Sequence, residues 1–153
     1  MQVLGLELAQ SKLYFCLLSG DQKHPIFLKH GIRDFSAGQP ATELMNFFNH
    51  TFSEIIDEYS PQKIGYRVAM SAGPSIKKID QYPYLYFSYG ILNLIAHNKN
   101  IPTTMYNTNS FTAAFFGRKG DKKTICDELI GIHPPNWNDS ARMAALSAYG
   151  ILP

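Results

Sequence analysis

The stretch up to Phe35 constrains the fold more than any other. Two β-forming apolar segments, Gln2 to Leu8 and Leu13 to Ser19, are separated only by the short polar turn Ala9-Gln10-Ser11. A turn that short joins antiparallel neighbours, because a parallel pair needs a crossover of a dozen or more residues. Gly20-Asp21-Gln22 makes the next turn. Ile26 to Phe35 then mixes apolar and basic residues in rough alternation, the pattern of a third strand with one exposed side.

Behind this meander the pattern changes to alternating helices and strands. Thr42 is placed to cap a helix in which Leu44, Phe47, Phe48, Phe52, Ile55, Ile56 and Tyr59 recur at helical spacing, and Ser60-Pro61 ends it. Lys63 to Met70 reads as a short strand entering the loop Ser71-Ala72-Gly73-Pro74. Tyr84 to His97 reads as an aromatic-rich helix, and Ile101 to Tyr106 as a fifth strand with Pro102 in an edge-tolerant position. Three helical segments close the chain: Ser110 to Phe116, Asp121 to Ile130 and Ser140 to Tyr149. The order β-β-β-α-β-α-β-α predicts an α/β chain with a mixed five-stranded sheet flanked by helices.

The chain of 153 residues, 45% hydrophobic and 17% charged, suits one domain spanning 1–153 with a real core. A formal net charge of +2 means that any nucleic-acid surface must be a local patch. Cys16 and Cys126 fall inside predicted elements without metal-ligand spacing, so they read as buried thiols of a reducing compartment. With no leader pattern and no run of membrane-spanning length, the expected location is cytoplasmic, with no membrane partner.

Within this layout one residue stands out. Glu7 puts a carboxylate near the end of the apolar strand "VLGLEL", and a buried charge needs a partner, a metal or water. The opening "VLGLELAQSKLYFCLL", the segment "FFGRKGDKKTICDELIGI" and the terminal "NDSARMAALSAYGIL" together resemble the RuvC-like, Holliday-junction resolvase branch of the ribonuclease H-like superfamily. "GLEL" with "CLLS", and "KIGYRVAMSAG", are similar to a small bacterial group within that branch. The resemblance implies a ribonuclease H-like fold and a bacterial or phage source. It also places Glu7 where the first catalytic carboxylate stands and Asp139 at the first acidic position of the last helix.

The departures from the pattern bear on activity. Nucleases of this branch hold two Mg²⁺ ions with about four carboxylates. Their fourth strand ends in a glutamate, where "YRVAM" supplies Arg67 and no acid, and their second acid on the last helix corresponds to Arg142. Glu7 and Asp139 are the metal-ligand candidates, for Mg²⁺ or Mn²⁺ only if the protein is catalytically active. Three readings of Glu7 stay open: a rim carboxylate salt-bridged to Arg67 or Arg142, a relic of a nuclease ancestor, or the centre of a reduced nuclease. His133, six residues before Asp139, is the remaining candidate catalytic group, as base or ligand, against the plainer reading of a loop histidine bonded to backbone. Trp137 beside it reads as a packing anchor.

Two further features suggest partners. The run Arg118, Lys119, Lys122 and Lys123, interleaved with Gly117, Gly120 and Asp121, is a candidate phosphate contact at a helix start, and Lys77-Lys78 form a second basic pair. These nominate structured or branched DNA or RNA. On the helix from Tyr84, the residues Tyr84, Tyr86 and Tyr89 cover more than one face, which nominates a protein partner or a homodimer. The expected function is a nucleic-acid-associated, catalytically degenerate or weak RuvC-like nuclease. The alternatives are an interaction pseudo-enzyme and an active metal-dependent endonuclease.

Overall fold

A computed structural model describes residues 1–9, 11–68, 84–108, 111–131 and 137–153. The meander is present as β1 (Gln2–Ala9), β2 (Lys12–Gly20) and β3 (Pro25–Asp34), paired antiparallel in sequence. Helix α1 (Ala41–Tyr59) leads into β4 (Lys63–Val68), and α2 (Tyr84–Asn98) into β5 (Thr103–Asn107). β4 lies parallel to β1 and β5 parallel to β4, so the sheet order is β3-β2-β1-β4-β5. A single 3₁₀ turn (Ala114–Phe116), α3 (Lys122–Ile130) and α4 (Asp139–Tyr149) complete the described elements. No helix among them is long and apolar enough to cross a membrane.

The central strands β1 and β2 are buried almost throughout because helices cover both faces of the sheet. On one face Leu4, Leu6, Phe15, Leu17 and Ile64 pack against Phe48, Phe52 and Ile55 of α1 and Leu92 of α2. On the other, Val3, Cys16 and Leu18 pack against Cys126 of α3 and Met143, Ala144 and Leu146 of α4. The period of two along each strand separates these sets, and it puts Val3, Gly5 and Glu7 together on the α4 face.

Two glycines let α4 lie close to the sheet. Gly5 and Gly65 are paired neighbours on β1 and β4. A Cβ on Gly5 would overlap the backbone of Ala144 and Ala148, and one on Gly65 would overlap the carbonyl of Ser147. Ala144, Ala145, Ser147 and Ala148 are fully buried against this floor. The last helix is therefore fixed in height and position over β1 and β4, and that fixes where its first residue, Asp139, emerges.

Several expectations need correction. Helix α1 begins at Ala41 with Pro40 at its N-cap position and no side-chain cap, so Thr42 lies inside the first turn. The described part of Ser110 to Phe116 forms only the 3₁₀ turn, because burial of Phe111 and the left-handed Gly117 (φ 66°) turn the chain before a helix develops. Tyr84 and Tyr89 are 1% and 6% exposed, packed in the sheet–helix core, so only Tyr86 of the nominated tyrosines is exposed. The aromatic helix face turns inward because Phe35, Phe48 and Tyr66 offer it rings to pack on. Trp137 is buried edge-on against Phe27 (5.7 Å) and His30 (5.4 Å), as an anchor would be.

Candidate functional site

Strand register assembles the site. Across the sheet, Tyr14 of β2, Glu7 of β1, Arg67 of β4 and Tyr106 of β5 are successive paired neighbours. Directly paired residues have Cβ atoms only about 5 Å apart, so Arg67 meets Glu7 by register alone. Its guanidinium forms a two-pronged bond: Nε donates to Glu7 Oε2 at 3.1 Å, and Nη2 donates to Oε1. The two side chains are 14% and 5% exposed, so this is a buried fork of the strong, geometrically specific kind. Tyr89 holds the same strand from the opposite face, its hydroxyl donating to the Arg67 carbonyl at 2.9 Å while its ring stacks on Tyr66.

The electrostatics of Glu7 are a contest. Burial pushes its carboxyl up from the ordinary value, while the hydrogen bonds and charge of Arg67, and then the charge of Lys122, pull it down. Burial wins and the shift is upward. The same negative charge, after burial itself, pushes the Tyr89 phenol well above its usual range.

Asp139 arrives at this rim through its neighbour. Asn138 caps α4, its Oδ1 accepting from the Ala141 amide at 2.9 Å, and its Nδ2 donates to the Tyr14 hydroxyl at 3.0 Å. Since Tyr14 is the paired neighbour of Glu7, the start of α4 is tied to the row that carries the buried acid. Asp139 itself is 59% exposed on its side chain and pairs with Lys123 Nζ at 2.7 Å, with Arg142 Nη1 at 3.9 Å. Arg142 mainly serves elsewhere. It grips Asp127 of α3 with Nε at 2.8 Å and Nη2 at 3.0 Å, and Nη1 donates to the Trp137 carbonyl at 2.7 Å.

Of the expected basic run, Arg118 and Lys119 are exposed, Lys122 is half-buried within electrostatic reach of Glu7, and Lys123 is committed to Asp139. Gly117 and Gly120 take positive φ (66° and 109°) in this loop, which other residues rarely adopt. Asp121 occupies the N-cap position of α3 without a side-chain cap bond. His133, Lys77 and Lys78, with the Gly73-Pro74 loop, lie outside the described residues.

The donor set does not fit a pair of divalent cations. Both oxygens of Glu7 are taken by one guanidinium, and Asp139 is taken by an ammonium. Among the described residues, no group of three or more His, Cys, Asp or Glu side chains converges as a metal site. Four carboxylates (Glu7, Asp121, Asp127, Asp139) face four cations (Arg67, Lys122, Lys123, Arg142), so the cluster is close to balanced in charge. Sequence reasoning named Arg67 as a misfit but missed Tyr14 and Asn138. The Asn-Asp-Ser-Ala start of the last helix was a readable capping signal, whereas the partner of Asn138 across the fold was not.

No protein-family model matches the chain, and no curated protein matches it. Solved structures do. Thermus thermophilus RuvC in complex with a Holliday junction substrate superposes with a TM-score of 0.76 at 13% identity, over 98% of this chain and 91% of that one. The yeast mitochondrial Holliday junction resolvase gives 0.67 at 15% identity, over 97% and 76%. Fowlpox virus resolvase in complex with Holliday junction DNA gives 0.55 at 9%, over 99% and 93%. With its mixed five-stranded sheet and flanking helices, the chain has the RuvC-like form of the ribonuclease H-like fold.

Proposed function

We propose that this protein associates with structured or branched nucleic acid and holds it without cutting it. The observation that carries this reading is the buried Arg67–Glu7 fork, which commits the first acid of the fold to a cation built into the chain. The fold supplies the nucleic-acid side of the reading by analogy with the resolvases it resembles. The exposed pair Arg118 and Lys119 supports it. A phosphodiester approaching this rim meets Lys122, Lys123 and Arg67 where a cutting enzyme would present metals.

Binding of a labelled four-way junction, duplex and single strand at several salt concentrations tests this. The affinity is expected to fall steeply with salt, and alanine at Arg118, Lys119, Lys122 and Lys123 is expected to flatten that dependence by about one logarithmic unit per lost phosphate contact. The reading fails if the fourfold variant binds all three nucleic acids as the wild type does.

A further inference from the structure

A second concave site lies on the same face of the sheet, beyond the edge of α4. Its volume is about 380 Å³, within the range of small-ligand pockets. Three residues that carry donor groups line it: Lys63, Thr104 and Tyr106. Ile151 and Leu152, which are 6% and 4% exposed, are apolar residues of the same lining, which is otherwise more polar than apolar. Among the described residues that line it there is no carboxylate.

The donors are uncommitted. Lys63 makes no ion pair among the described residues, although its side chain is half-buried. Tyr106 is 94% buried, yet its hydroxyl has no hydrogen-bond partner among the described residues and is not among the sealed-off polar atoms. It therefore faces the pocket. Burial raises its phenol to about 12, so at neutral pH this hydroxyl is protonated and able to donate. Water reaching the pocket can accept from this hydroxyl, and a ligand oxygen can take the place of that water.

The rim adds a flat ring. Phe115 is 47% exposed, and its ring edge lies so close to Gly150 that a Cβ there would stand 3.3 Å from it. A lysine and two hydroxyl residues beside an exposed aromatic ring and two apolar residues are the complement of a phosphate joined to a planar ring.

We propose that this pocket binds a phosphorylated ligand of nucleotide size, with the phosphate on Lys63, Thr104 and Tyr106 and the base against Ile151, Leu152 and Phe115. The pocket is distinct from the Glu7 site, but Tyr106 is the paired neighbour of Arg67, so the two adjoin along one row of the sheet. The ligand is either a free nucleotide or one unit of a strand. Only the second source rests on the nucleic-acid reading above.

The test is a titration of the full chain, followed by amide NMR shifts, with thymidine monophosphate, thymidine, inorganic phosphate and a short oligothymidylate. The monophosphate is expected to shift Lys63, Thr104, Tyr106 and Leu152, and to bind about tenfold more tightly than thymidine or phosphate alone. Lys63→Ala is expected to weaken it about tenfold, and Tyr106→Phe, which keeps the ring, about fivefold. Tighter binding of the oligothymidylate at the same residues identifies a strand as the source, and equal binding identifies a free nucleotide. The proposal is overturned if neither the monophosphate nor the oligonucleotide shifts these residues, or if Lys63→Ala leaves the affinity unchanged. A four-way junction that binds through Arg118 and Lys119, while neither the monophosphate nor the oligothymidylate shifts the pocket residues, would overturn this inference alone. Monophosphate binding without any junction binding would leave it standing and remove the nucleic-acid reading.

Discussion

Replacing Arg67 with methionine is expected to cost the fold about 3–5 kcal/mol at pH 7, the usual cost of stranding one partner of a buried ion pair. Methionine keeps much of the aliphatic volume, so the loss comes from the unpaired carboxylate of Glu7 rather than from a cavity. The loss is also expected to depend on pH. Burial already holds the Glu7 carboxyl above its ordinary value of 4.5, and Arg67 is the main influence pulling it down. Without Arg67 the native carboxyl titrates higher still, while the unfolded chain titrates near the ordinary value. Between those two values the native state binds the extra proton, so stability falls as pH rises through that window. The deficit of Arg67→Met should therefore shrink as pH is lowered from 7 towards 5. Adding Glu7→Gln should recover part of it. Urea unfolding at the two pH values measures this. An equal deficit at both, or a deficit below about 1 kcal/mol, would mean that Glu7 is not held as the geometry indicates.

Gly5→Ala is expected to be comparably severe, although it adds one methyl group. That methyl would overlap the carbonyl of Ala144 and the amide of Ala148, both backbone atoms of α4, so the helix must lift to admit it. Overpacking against backbone costs at least about 3 kcal/mol here, at the upper end of its usual range. Gly90→Ala is the internal contrast. Gly90 lies within α2, where an added methyl would have nothing within 4 Å, so alanine there should stabilise the protein by about 0.5–1 kcal/mol through helix propensity. Thermal unfolding of the two variants gives opposite signs if α4 rests on the Gly5–Gly65 floor. A lifted α4 also draws Asn138 away from Tyr14, so the start of the helix would leave the rim that carries Glu7.

The parts of this arrangement that local chemistry controls were readable in the chain. The short turn at Ala9-Gln10-Ser11 demanded a hairpin, and the two-residue alternation of β3 demanded a half-exposed strand, and both are present. The missing acid on the fourth strand was visible as Arg67, and of the two arginines nominated to pair with Glu7 it is the one that grips it. What was not readable depends on long-range packing. Tyr14 and Asn138 are 124 positions apart, and only the antiparallel β1–β2 register together with the glycine floor under α4 brings them together. Tyr84 and Tyr89 looked like surplus aromatics on an exposed face because their partners, Phe35, Phe48 and Tyr66, come from three other elements or their ends. Lys123 read as a phosphate contact, but its position across the α3–α4 junction from Asp139 gives it a carboxylate partner. Tyr106 gave no sign of a pocket, since its open hydroxyl is a property of the groove beside α4.

Whether the Glu7 carboxylate stays with Arg67 decides between holding a junction and cutting it. The most direct measurement is cleavage of an end-labelled four-way junction, under conditions where the protein binds it, with Mn²⁺ titrated against wild type and Glu7→Gln. The expected result is a bound junction that stays intact with both proteins at every Mn²⁺ concentration. Mn²⁺-dependent cleavage by the wild type that is lost in Glu7→Gln would contradict it, because it would mean that the carboxylate leaves its guanidinium and works on a metal.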